Sequence, residues 1–521
     1  MSACRRLIPA ILIAALFGAC ATQPPLSSHR IDALVHAAMQ EFSVPGIAVG
    51  VVKDGVVVHA AGYGVRELGL DAPVDTETLF RIASTSKAFT TASLAMLVDE
   101  GKLDWNDKVV DHIPDFVLHD PWVTKEFTIL DLLTHRSGLV SGAGDLMLWP
   151  KPNLFTRADI IHGLRYFKPG SAFRTGYAYD NLLYIVAGEL VLAVTGIAWE
   201  DFVDDRILGK LGATRCFAGR IPESQMQNLA APHAIIEGEL QVVDRNRASA
   251  DVDVAAAAGG VRCSLQDMLK WTRLQLAHGK LPDGSVLFSD EQSRIMWSPQ
   301  TILSVDNDAY ERDRTHFKAY ALGWRLADVL GYKHVSHTGS YTGFRAHVVL
   351  VPELDLGVVI LLNASSGNAR EAIAQGIVKA YMGSDDVDWV AYFAREAEQE
   401  AAAEPEVATA DPDFRHGSVL APLQSYAGLY RDAWFGDVSI EMRGDELWFA
   451  SAKSPPMQGR LWPFEGNTFY AYWTDRTLEA DAWVRFDVDE AGNASHMELV
   501  PVWDWSDWDL GDLDLQRVGD E

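Results

Sequence analysis

Two hairpin patterns stand far apart in this chain, and mostly helical and loop sequence lies between them. In the first, Ile47-Ala48-Val49-Gly50-Val51-Val52 and Val56-Val57-Val58-His59-Ala60 flank Asp54-Gly55, a strong tight-turn signal. In the second, His347 to Val351 and Gly357 to Asn363 flank Pro352-Glu353-Leu354-Asp355. Strands that are apolar at nearly every position have to be covered on both faces. The flanking sequence supplies the cover. Arg30 to Phe42 places Ile31, Leu34, Val35, Ala38 and Met39 on one helical face, and a second helix is expected around Arg370–Met382, ending at Gly383. The fold expected is α+β: a helix-backed antiparallel sheet assembled from both ends of residues 30–393, with a helical region inserted between them.

Residues 394–419, rich in Ala, Glu, Pro and Asp and without apolar periodicity, read as a linker. From 420 to 521 the texture changes to short alternating segments, among them Val438–Met442, Glu446–Phe449, Thr468–Tyr472 and Ala482–Phe486, with turns at Gly444-Asp445 and Ala491-Gly492-Asn493. That pattern predicts a small antiparallel all-β domain, barrel or sandwich. Near its end Trp503, Trp505 and Trp508 alternate with Asp504, Asp507 and Asp509. This reads as barrel filling, with a carbohydrate-stacking surface as the other reading.

Residues 1–29 read as a signal peptide and tether. Arg5 and Arg6 precede the apolar run Leu7–Phe17, which is too short to span a bilayer as a mature helix. Leu16-Phe17-Gly18-Ala19-Cys20 resembles a bacterial lipobox, which makes Cys20 a lipidation candidate; cleavage at an A-x-A site is the alternative. The expected location is the periplasmic side of a bacterial envelope. In the mature body Cys216 and Cys263 are left, as one disulfide or as two buried thiols. Lys and Arg number 44 against 72 Asp and Glu, a formal charge of −28, so binding to nucleic acid is excluded as a general role. No Cys/His spacing matches a zinc site, and neither metal nor cofactor is expected.

Three short motifs carry chemistry. Ser84-Thr85-Ser86-Lys87 opens a helical pattern that reaches Gly101, so Lys87 lies one turn along the same face as Ser84. A serine hydroxyl needs a neighbouring base, and a lysine serves as one when burial or a nearby cation lowers its pKa. A helix N-terminus also aims N–H groups at a developing oxyanion. Tyr179-Asp180-Asn181 leads into an apolar helix from Leu182; its phenol can relay protons and its amide can orient a lysine or a substrate carbonyl. By itself this motif also reads as a helix cap with a packing tyrosine. His337-Thr338-Gly339-Ser340 precedes the second hairpin, with Gly339 permitting close backbone approach and the Ser340 amide available to an oxyanion. His135 reads as structural, and Tyr341 and Arg345 as possible pocket lining.

In this order the three motifs resemble the serine β-lactamase and penicillin-binding-protein family, in its class C, peptidase S12 and CubicO-like branch. The supporting stretches are Leu132–Leu139, Ala258-Gly259-Gly260-Val261 and His337–Phe344, and the likeness covers about residues 30–390. The region beyond 420 is similar to the lipocalin-like domains attached to some of these hydrolases. The resemblance implies a site between sheet and helical region, Ser84 as acylated nucleophile, Lys87 as its base and Tyr179 as proton relay. It further implies Asn181 as orienting amide, and the amides of Ser84 and Ser340 as the oxyanion hole. His337 stands where β-lactamases of this type carry lysine, which predicts weaker dependence on a substrate carboxylate and poor lactamase turnover. The function implied is acyl-serine hydrolysis of a small ester or a D-residue amide or peptide. A carboxylesterase and a low-turnover penicillin- or peptidoglycan-binding sensor are the alternatives.

Overall fold

The computed structural model describes residues 26–248, 253–384, 386–403, 417–478, 480–490, 492–502 and 510–519. Cys20, the leader, and Trp503, Trp505 and Trp508 lie outside the described residues. The central sheet has eight strands: β1 (Gly46–Lys53), β2 (Val56–Gly64), β3 (Thr301–Leu303), β4 (Lys318–Tyr320), β5 (Arg325–Val329), β6 (Tyr332–Tyr341), β7 (Phe344–Val351) and β8 (Leu356–Leu362). Its spatial order is β2-β1-β8-β7-β6-β5-β4-β3, antiparallel throughout, so the first hairpin pairs with the last strand. Ile47 lies opposite Leu362, and Lys53 opposite Leu356.

Both faces are covered, which explains the unbroken apolar runs. Ile47, Val49, Val51, Val358 and Ile360 pack under helix α1 (Ser28–Glu41), and a later helix packs beside it through Ile373 and Ile377. The alternate residues Ala48, Val52, Val359 and Leu361 face the other way, onto helices within the insert. Each side chain of this size contributes about 1.5–3 kcal/mol when taken fully out of water. The insert holds α2 (Lys87–Asp99), α3 (Leu182–Thr195) and α4 (Leu265–Leu276); the second covering helix is α5 (Gly367–Tyr381). Cys216 and Cys263 face one another across a small antiparallel sheet and are joined as a disulfide.

One boundary differs from the sequence expectation. Residues 394–403, read as the start of a linker, continue helix α6 (Trp389–Ala403). Its first turn is seeded by buried Trp389, and the Ala/Glu-rich remainder has high helix propensity even without an apolar stripe. Of the expected linker, 404–416 lies outside the described residues, and Ser418–Val419 already pairs with Glu465–Gly466.

The C-terminal part is a closed eight-stranded barrel: β9 (Gly428–Asp432), β10 (Gly436–Arg443), β11 (Glu446–Ser451), β12 (Gln458–Gly466), β13 (Thr468–Trp473), β14 (Ala482–Val488), β15 (Ala494–Pro501) and β16 (Leu515–Arg517). Neighbours pair around the ring and β12 closes it against β13. Tyr430, Ile440, Phe449, Phe469 and Phe486 fill the interior. The barrel docks on the helical insert. Phe435 stacks near Phe155 and Trp434 near Phe167, with ring centroids 5.8 and 5.0 Å apart, and the Lys453 ammonium bonds Asp159 at 2.7 Å.

Candidate active site

Three elements meet at one end of the sheet. After Phe80–Arg81 the chain turns sharply at Ala83, which holds φ +46°, into a 3₁₀ turn over Ala83–Ser86 that runs into α2. In a 3₁₀ turn residues i and i+3 eclipse, which brings Lys87 directly over Ser84. The Lys87 ammonium lies 3.3 Å from the Ser84 hydroxyl. It also donates to Asn181 Oδ1 at 2.7 Å and to the Ala258 carbonyl at 3.0 Å, and Lys87 itself is fully buried.

Asn181 stands at the cap position of α3, yet its side chain does not cap the helix. Asp180 accepts from the Leu183 amide instead, leaving Asn181 to bridge Lys87 and Asp145, its amide donating to Asp145 Oδ2 at 2.8 Å. Tyr179 places its ring 4.7 Å from the Lys87 ammonium, and its phenol faces Ser84. His135 takes the Asp180 amide on Nδ1 and stacks beside the Tyr179 ring at 4.2 Å, so it fixes this loop.

The third element is β6. Its residue Gly339 passes close to the segment before Ser84, and Thr338 and Ser340 open onto the same cavity as Ser84, Tyr179 and Asn181. His337 lines this cavity as well, and both of its ring nitrogens have partners within the protein. Nδ1–H donates to the Thr338 carbonyl at 2.7 Å, leaving Nε2 to accept from the Tyr320 hydroxyl at 3.0 Å. Burial, then the cations Arg325 and Lys87, hold its pKa well below the ordinary value, which favours the neutral imidazole.

A cation in the cleft is Arg325 at the start of β5, which sequence reasoning missed. It lines the cavity, donates to the Tyr177 hydroxyl at 2.9 Å, and lies within 6.0 Å of the Tyr177, Tyr179 and Tyr320 rings. Among the described residues no carboxylate forms an ion pair with it. The expectation of weaker carboxylate dependence, drawn from His337, did not include this cation. Asp145 was missed as well. Neither residue belongs to a spaced motif, and both reach the site only through tertiary packing. Tyr341 and Arg345 line the cavity too.

Burial dominates the electrostatics. It lowers the Lys87 pKa to about 7, with Asp145 and Asp180 opposing and Arg325 reinforcing the shift. Burial raises the Tyr179 phenol far above its usual range, against the Ser84 hydroxyl, and pushes Asp180 up to about 7. A lysine that is largely neutral just above pH 7, in contact with a serine, can accept that serine's proton.

This chain belongs to the Beta-lactamase family, whose sequence pattern matches residues 31–381; residues 418–517 match a domain of unknown function, DUF3471. An unguisins hydrolase of Aspergillus campestris is 29% identical over 365 residues, which cover 66% of this chain and 64% of that protein. This chain therefore spans under two thirds of that relative. Penicillin-binding protein 4 of Amycolatopsis lactamdurans is 28% identical, covering 65% of this chain and 84% of its own length. Among solved structures, the octameric penicillin-binding protein homologue from Pyrococcus abyssi shares the fold over 94% of this chain and 100% of its own, with a TM-score of 0.60 and 21% identity. A class C β-lactamase variant covers 67% of this chain and 96% of its own at TM-score 0.55 and 21% identity.

Proposed function

We propose that the chain is an exported acyl-serine hydrolase acting on a D-residue peptide that ends in a carboxylate. The observation carrying this reading is the buried Lys87 ammonium 3.3 Å from the Ser84 hydroxyl. Neutral Lys87 accepts the Ser84 proton as Oγ bonds to the substrate carbonyl carbon. The carbonyl oxygen becomes an oxyanion held by the amides of Ser84 and Ser340. Collapse breaks the bond to the leaving group, which takes its proton by way of Tyr179, and an acyl-Ser84 ester remains. Water then attacks this ester, loses its proton to the same base and releases the acid with Ser84 restored. Asn181 keeps Lys87 in place through both halves.

Arg325 supports the carboxylate, being a fixed cation open to the cleft with no carboxylate partner among the described residues. The neutral His337 favours the other reading, a carboxylesterase for uncharged substrates. Incubation with a penicillin followed by intact mass measurement tests the nucleophile. A one-to-one adduct on the wild type and none on Ser84→Ala is expected, and an adduct on both would refute Ser84. The Arg5–Phe17 leader pattern supports export, and lipid attachment at Cys20 is checked by palmitate labelling that Cys20→Ser removes.

A further inference from the structure

The cavity at Ser84 has a volume of about 1380 Å³, larger than the usual 300–1,000 Å³ of a small-molecule site. A small ester or a single residue leaves most of it empty. Away from Ser84 its wall is not made by the hydrolase fold alone. Leu478 and Pro501 of the barrel line it together with Ile235 and Leu240, which sit on a two-stranded hairpin of the insert, His233–Ile236 and Glu239–Val242.

The barrel loop is clamped there. Arg245, itself nearly buried, donates to the Thr477 hydroxyl at 3.0 Å and to its carbonyl at 2.7 Å, and pairs with Asp475 at 3.3 Å. Arg245 also donates to Asn246 Oδ1 at 3.2 Å, and the Asn246 amide donates to the Thr342 carbonyl at 2.9 Å. Thr342 is in the turn directly after Ser340 and Tyr341, so one chain of hydrogen bonds ties the barrel loop to the end of β6. A second tie runs from Arg476 to Glu237 at 3.0 Å.

The same cavity is lined by Trp149 and Tyr341, an edge-to-face pair at 6.2 Å. The Trp149 indole N–H and the Tyr341 hydroxyl are buried and have no hydrogen-bond partner among the described residues. A buried donor without a partner is costly unless a ligand supplies the acceptor. Two such groups beside a chain-sized cleft match the carbonyls of a peptide backbone.

We infer that the barrel completes a distal subsite, built from Leu478, Ile235 and Leu240, for an apolar side chain of an extended peptide whose carbonyls are received by Trp149 and Tyr341. This rests on the acyl-serine peptidase reading and narrows its substrate to peptides of several residues with an apolar group remote from the scissile bond.

The test compares peptide thioesters of two to five residues ending in D-alanine, each made with leucine or with glycine at the N-terminus. Thioesters report acylation whatever the amide preference. At one length the wild type is expected to favour leucine at least about tenfold in kcat/KM, mostly through KM. Leu478→Ala and Ile235→Ser should each bring that ratio towards one; Ile235 is 56% exposed, so its variant folds even if the other does not. A ratio near one at every length in the wild type, or a ratio unmoved in both variants, overturns the subsite. Failure of every thioester together with no fluorophosphonate label on Ser84 overturns the acyl-serine reading and the subsite with it.

Discussion

Gly339 approaches Ile82 so closely that a Cβ on Gly339 would lie 2.2 Å from the Ile82 carbonyl oxygen. The contact is backbone against backbone, so nothing flexible can yield. It sets the distance between β6 and the turn that carries Ser84, and therefore the spacing of the Ser84 and Ser340 amides. Gly339→Ala must push the strand outward. The expected result is a loss of about 1–3 kcal/mol of stability and a large fall in acylation rate, read by calorimetry and by penicillin adduct formation. An alanine variant that melts and acylates like the wild type would show that this approach does not fix the site.

The Lys87 pKa of about 7 places a limb on the pH profile. The base is the neutral amine, so acylation should rise with pH through about 7 and then level off. Asp145 holds that pKa up, so Asp145→Asn should move the limb to lower pH. Arg325 holds it down, so Arg325→Gln should move the limb to higher pH. Stopped-flow acylation across pH 5–9 checks both signs; movement of both limbs the same way would be inconsistent with this electrostatic account.

Arg325 has a second consequence, for selectivity. A charge-assisted hydrogen bond contributes about 1.5–3 kcal/mol, so Arg325→Gln should weaken carboxylate-ended peptides relative to their amide-capped forms by about tenfold to a hundredfold in KM. Equal loss on both forms would mean that Arg325 acts on Lys87 alone.

Asp131 is fully buried and joins two arginines. It accepts from Arg174 Nε at 2.9 Å and Arg136 Nε at 3.1 Å, and it also bonds the Thr128 amide at 3.0 Å. The loops it ties together are those of His135 and Tyr179, since the Ala178 amide bonds the His135 carbonyl. Asp131→Ala should cost about 2–4 kcal/mol, discounted because Arg174 is partly solvated. Its carboxyl pKa is lowered despite burial by the Arg174 and Thr128 bonds. The stabilisation is therefore present above the ordinary carboxylate range and is lost as pH falls through the lowered value. Chemical denaturation at pH 7 and pH 3 should show the variant and wild type converging at the acid end.

The strands of both hairpins were legible because a doubly covered sheet leaves its apolar residues in continuous runs. Ser84 and Lys87 were legible because one turn of helix converts a spacing of three into contact. Asn181 was ambiguous, since a residue at a helix start is usually read as its cap; here Asp180 caps, which no local pattern distinguishes. Asp145 and Arg325 left no trace in the sequence, because the loop and the strand carrying them meet Lys87 only after folding. Helix α6 was misread because alanine and glutamate propensity formed it where no apolar stripe marked it.

Ile47 pairs with Leu362, and the whole helical insert lies between them in the chain. An isolated two-stranded hairpin is marginal in water, and contacts so distant in sequence form slowly. During synthesis Ser84, Lys87, Tyr179 and Asn181 are all made long before β6 to β8 exist to seat them. A nascent or truncated chain ending before Leu362 thus carries every one of these side chains and no floor beneath them. Of the two amides expected to hold the oxyanion, that of Ser340 is therefore made more than 250 residues after that of Ser84.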